Sequence, residues 1–142
     1  MDDRPVGREQ GLLPARLVFY LGNTGAGSFS ARWDGNALRV EETGGGNFPG
    51  TSRVVRPSAV CWTSFREAVR ESGAGSWSGN YAVPHGCCGV TYWLLDLEWD
   101  DIRVSCSGED MFPGGDVPGM TAGFRAVLDA VRALCRCDDP VI

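Results

Sequence analysis

Lysine is absent from this chain of 142 residues, and all thirteen basic residues are arginines. That excludes every chemistry that needs a lysine amine, including Schiff-base formation, a phosphate-loop lysine and a lysine general base. Histidine occurs once, as His85, so a Ser-His or Cys-His catalytic pair would have to use that residue. No apolar run approaches the ~18 residues of a membrane helix. The first ten residues, MDDRPVGREQ, lack the apolar segment of a signal peptide. The expectation is a protein of the cytoplasm with no membrane contact. An excess of positive charge is missing too: eighteen acidic residues give a net charge of −5. That argues against a nucleic-acid backbone as partner, which needs a clustered positive field.

What is present is a globular composition, 43% hydrophobic and 22% charged. The length suits one domain that buries ~70% of the unfolded chain's surface. In the cytoplasm its six cysteines are expected to be reduced thiols.

The strongest pattern is VTYWLLDLEWDDIRVSCS, residues 90–107. With period two, Trp93, Leu95, Leu97 and Trp99 share one face, and Tyr92, Leu94, Asp96 and Glu98 the other. A turn at Asp100-Asp101 sets Trp99, Leu97 and Leu95 opposite Ile102, Val104 and Cys106, and Glu98 opposite Arg103. A slip of one residue would carry the apolar set to the wrong face. Asp-Asp lacks the glycine that the tightest hairpin turns prefer.

Taken in order, residues 1–14 read as a flexible arm and residues 16–21, RLVFYL, as a strand. A hairpin from Ser28 to Glu42 follows, turning at Asp34-Gly35 and pairing Trp33 with Asn36, Ala31 with Leu38 and Phe29 with Val40. TGGGNFPG, residues 43–50, is a glycine-dense loop with Phe48 as its tether. After an extended piece, SRVVR, Ser58 caps a helix with Trp62, Phe65, Ala68 and Val69 on its inner stripe and Gly73 as its stop. Residues 76–83 form a short strand anchored by Trp77 and Tyr81. The last helix spans about 120–136, with apolar positions 124, 127, 128, 131, 134 and 135 at the helical period, and 138–142 fray.

The order β-β-β-α-β-β-β-α lacks strict strand-helix alternation. It predicts a single α+β domain over 15–137: an antiparallel sheet of about five or six strands with both helices on one face.

Three groups of residues carry candidate chemistry. His85, Cys87, Cys88, Cys106, Cys135 and Cys137 supply the ligand types that zinc takes in a tetrahedron. Their spacing, His-x-Cys-Cys and Cys-x-Cys, is not that of paired knuckles. Cys61, Cys106 and Cys135 read more simply as small core hydrophobes. Asp96 and Glu98 share a strand face and could do acid-base work, but a solvated face with Arg103 as counter-ion accounts for them. Trp77, Tyr92 and Phe112, with Asp96 and Glu98, make a candidate partner-binding set, since aromatics are enriched at interfaces.

The series Trp62-x-x-Phe65, Val69, Trp77-x-x-x-Tyr81, Gly89, Trp93, Gly108 and Phe112-Pro113 resembles a pattern of small bacterial proteins without assigned activity. Those have a Trp-x-x-Phe helix, a Trp-x-x-x-Tyr segment, an Asp-Gly-x-x-Trp strand start and a Gly-x-x-x-Pro loop. The likeness spans about residues 57–134 and departs at Cys88-Gly89, with one extra residue before Trp93. It implies the α+β layout and transfers no catalytic residue.

The leading expectation is a non-enzymatic cytoplasmic domain without a cofactor that binds another protein, of inhibitor or immunity type. A zinc-stabilised module using His85 and cysteines is the alternative, and a hydrolytic enzyme on the acidic sheet face is the third reading.

Overall fold

The computed structural model describes residues 12–23, 25–44, 50–82, 91–115 and 119–137. Period-two alternation resolves into seven strands: β1 Arg16–Asn23, β2 Gly27–Trp33, β3 Leu38–Gly44, β4 Thr51–Val55, β5 Ser78–Ala82, β6 Thr91–Glu98 and β7 Arg103–Glu109. The helical stretches become α1 Ala59–Ser72 and α2 Ala122–Cys135. One sheet runs in the order β4-β3-β2-β1-β6-β7-β5. The fold is α+β, as the pattern of elements implied.

The predicted register of the β6–β7 hairpin holds. Leu97 faces Val104, Leu95 faces Cys106 and Glu98 faces Arg103, and Trp99 donates its backbone N–H to the Ile102 carbonyl at 2.8 Å. The glycine-free turn is fastened from outside, because Arg66 and Arg70 of α1 both pair with Asp101.

Three expectations need correction. The sheet has seven strands rather than five or six, and it is mixed, since β5 runs parallel to β7. β6 has β1 and β7 on its two sides, so the chain returning from α1 takes the free edge of β7. The extended piece SRVVR contributes to β4, which pairs antiparallel with β3. In the β2–β3 hairpin Trp33 faces Leu38, Ala31 faces Val40 and Phe29 faces Glu42, two positions from the predicted register. Gly35-Asn36, not Asp34-Gly35, forms the two-residue loop. Asp34 donates its N–H to the Ala37 carbonyl at 3.1 Å. Its carboxylate accepts the N–H groups of Asn36 and Ala37 at 2.8 Å each, and Gly35 takes the positive φ of 95°. Because the shift is by two, the side chains within β2 and β3 keep their predicted faces, while Asn36, expected inside opposite Trp33, is exposed in the loop and Ala37, expected on the solvent face, is buried.

One face of the sheet is buried under both helices. Ser58 caps α1 and Gly73 ends it with φ 83°, which points Trp62, Phe65 and Val69 inward. Thr121 caps α2, and the six periodic positions, Phe124, Val127, Leu128, Val131, Leu134 and Cys135, are its buried ones. Edge-on and tilted rings knit the layers: Trp62 lies 5.0 Å from Trp33 and Phe124 lies 4.9 Å from Trp93, centroid to centroid. The end of the predicted N-terminal arm is docked. Leu12 accepts a hydrogen bond from Trp99 Nε1 at 2.9 Å, Pro14 is buried, and the Ala15 N–H reaches the Glu98 carbonyl at 2.8 Å. Phe48, residues 1–11 and residues 138–142 lie outside the described residues. Among the described residues, no helix is long and apolar enough to cross a membrane.

Candidate functional site

The other face of the sheet is covered by neither helix. Alternation alone would make it polar, and most of its margin is: Ser28, Ser30 and Thr43 stand on β2 and β3, and Ser105, Ser107 and Asn80 on β7 and β5, with exposed Val54 of β4, beside Arg39, as an exception. Its centre is not polar. Val18 and Tyr20 of β1 lie directly beside Asp96 and Leu94 of β6, and Gly22 lies beside Tyr92. Tyr20, Tyr92 and Leu94 are 41%, 44% and 39% exposed. A Cβ at Gly22 would collide with the Tyr20 phenol, so the glycine is what allows that ring to lie flat along its own strand. The result is an apolar, aromatic centre on the two middle strands, framed by small hydroxyls.

Charge is arranged unevenly around that centre. Arg16 Nε lies 2.9 Å from Asp96, Arg16 also reaches Glu98 at 3.1 Å, and Arg103 holds Glu98 at 2.7 Å. The Arg103 hydrogen bond, followed by the charges of Arg103 and Arg16, keeps the Glu98 carboxyl below its usual range. Two arginines thus neutralise the two carboxylates that the sequence offered for acid-base work. A general acid needs the opposite shift. Across the sheet, Arg32 sits beside Val18 and opposite Arg39. Arg39 has Asp34 at 3.1 Å as counter-ion, but among the described residues no carboxylate lies within ion-pair distance of Arg32. The described residues carry twelve acidic and eleven basic side chains, so their surface is close to neutral. Most of the chain's acidic excess lies outside them.

The predicted partner-binding residues do not form one surface. Tyr92, Asp96 and Glu98 are on the open face. Trp77 and Phe112 are in the core, at 9% and 2% exposure, because Trp77 stacks on Phe124 and Phe112 stacks on Trp93. Val18, Tyr20, Leu94 and Arg32 were missed. The available signal was an apolar residue at a polar-face position, visible at Leu94 once its strand's phase was set.

The predicted metal ligands are also divided. His85, Cys87 and Cys88 lie outside the described residues. Cys106 and Cys135 are buried thiols, as the core reading expected. Cys61 is not a core thiol: it forms a disulfide with Cys137, which corrects the expectation of six reduced cysteines and withdraws Cys137 as a free thiolate. Among the described residues, no group of three or more His, Cys, Asp or Glu side chains could hold a metal ion.

No protein-family model matches the chain, and no curated protein matches it.

Proposed function

We propose that this is a non-enzymatic protein-binding domain, of inhibitor or immunity type, and that it works in the cytoplasm through the open face of its sheet. The observation that carries this reading is the row of exposed Tyr20, Leu94 and Tyr92, with half-buried Val18 beside them, on β1 and β6. An open sheet face with tyrosines at its centre and small hydroxyls around them suits protein recognition. Tyrosine supplies contact area at low entropy cost, and serine and asparagine adapt their hydrogen bonds.

The occupant that fits is a different folded protein presenting an apolar strip with a carboxylate beside it. The strip covers Tyr20, Leu94 and Tyr92, and the carboxylate meets Arg32, which stands beside Val18 without an ion-pair partner among the described residues. The closed network of Arg16, Asp96, Glu98 and Arg103 leaves little net charge at the other end. Charge there would act on specificity more than on strength.

The test is affinity capture from the source cells with the wild-type chain and two variants, Leu94→Arg and Arg32→Glu, each first shown to fold. A partner held by the wild type, lost on Leu94→Arg and weakened on Arg32→Glu, supports the proposal. A partner held equally by all three overturns it.

A further inference from the structure

The helix layer, on the side of the molecule away from the open face, carries a second feature that does not depend on the binding proposal. Cys61 and Cys137 are disulfide-bonded across 76 residues of sequence, with their Cα atoms 6.3 Å apart. Both are half-exposed, whereas Cys106 and Cys135 are buried. The core closes without the bond: Cys137 is not part of it, and Cys61 only touches its margin. A domain of this size with such a core does not need a disulfide to fold, and a disulfide in a reducing compartment is typically transient. The bond borders an apolar groove of 380 Å³ between α1 and α2, lined by Val60, Ala68, Ala130 and Ala133 among others.

The two sulfurs sit at opposite kinds of helix end. Cys61 is the third residue of α1, in the first turn, where unpaired N–H groups and the helix dipole favour negative charge. The Ser58 hydroxyl donates to its Sγ at 3.3 Å. Cys137 lies one residue past the C-cap Arg136 of α2, where the dipole disfavours an anion. In disulfide exchange the sulfur that better bears charge leaves faster.

We infer that Cys61–Cys137 is a thiol–disulfide exchange site, opened by a dithiol reductant that attacks Cys137 Sγ and expels Cys61 as a thiolate. In the first step the Cys61–Cys137 bond breaks, a bond forms between the reductant and Cys137, and the electron pair departs on Cys61. The reductant's second thiolate then attacks its own sulfur in the mixed disulfide. The reductant leaves oxidised to its disulfide, and Cys137 takes a proton from water. Two electrons pass from reductant to protein. Reduction unties the end of α2 from the first turn of α1 and frees one border of the groove. Neither buried thiol competes, because burial pushes Cys135 up to about 12 and Cys106 up to about 11, so both stay protonated at neutral pH.

The experiment uses the full oxidised chain, native at pH 7, with limiting glutathione as a monothiol probe, an acid quench and peptide mapping by mass. Glutathione is expected on Cys137, with Cys61 released as a free thiol. In variants that each lack one partner of the bond, Cys61 in Cys137→Ser is expected to alkylate faster than Cys137 in Cys61→Ser, each site read by peptide mapping. Amide exchange after dithiothreitol treatment should rise in the last turn of α2 and not in β1 or β6. Reaction only once the protein is unfolded, or glutathione on Cys61, overturns the site. Unchanged exchange in α2 on reduction overturns its role as a latch.

Discussion

The indole of Trp93 lies across Gly108, its cross-strand neighbour on β7, and donates Nε1–H to the Met111 carbonyl at 2.8 Å. A Cβ at position 108 would run into the indole nitrogen and that carbonyl together. Trp93 in turn packs against Tyr81, Phe112 and Phe124. Gly108→Ala is therefore expected to cost about 1–3 kcal/mol, the usual range for overpacking a filled core. Denaturant unfolding would show it as a lower midpoint with an unchanged slope. A neutral substitution would mean that the indole does not lie there.

The buried thiols predict an alkaline limit. Cys106 and Cys135 have folded pKa values raised by burial to about 11 and about 12, against ~8.5 in an unfolded chain. Between those values the folded state holds protons that the unfolded state has lost, so stability falls as pH rises. Unfolding midpoints should drop steadily above about pH 8.5, and the drop should shrink in a Cys106→Ala, Cys135→Ala double variant. A flat profile in the wild type would contradict the burial of these thiols.

The carboxylates predict the opposite limb. Glu98 is held low first by its hydrogen bond from Arg103. Asp34 is held low first by the Ala37 and Asn36 amides. A carboxyl whose folded value lies below its unfolded one stabilises the protein above the unfolded value and loses that contribution as pH falls through the folded one. The loss should begin near the ordinary carboxylate range, about pH 4. Asp34→Asn and Glu98→Gln should each flatten the acid side of a thermal stability profile between neutral pH and acid. An unaltered profile would remove these pairs from the stability argument.

Breaking the disulfide should weaken the fold without abolishing it. Cross-links of this kind contribute about 2–4 kcal/mol, chiefly by restricting the unfolded chain. Reduced wild type and a Cys61→Ala, Cys137→Ala variant should melt at similar, lower temperatures, and both should keep a cooperative transition and native near-ultraviolet signal. Loss of that signal at room temperature would make the bond a requirement for folding.

How much of this could be read from the sequence divides along physical lines. The β6–β7 register was readable because one face is buried and the apolar set has only one phase that suits it. The inner stripe of α2 was readable because six positions agree with one period. The β2–β3 register slipped by two because faces alone cannot separate shifts of even number. The deciding contacts, the two amides held by the Asp34 carboxylate, are local geometry. The parallel pairing of β5 depended on which sheet edge was free, a property of the assembled sheet. The Cys61–Cys137 bond joins residues whose approach is set by the crossing of two helices. Tyr92, Asp96 and Glu98 were placed on the correct face by alternation. Trp77 is the expected anchor of a strand over 76–83, but β5 begins only at Ser78, and Phe112 lies in the loop after β7, so alternation did not report the burial of either.

The most direct test of the binding face is site-specific photo-cross-linking in the source cells, with a photoreactive side chain at position 94 and a control at exposed position 60 on the helix layer. The open face as binding surface predicts a discrete protein adduct from position 94, absent from position 60 and reduced when Arg32→Glu is added. No adduct from position 94, or the same adduct from both positions, would contradict it.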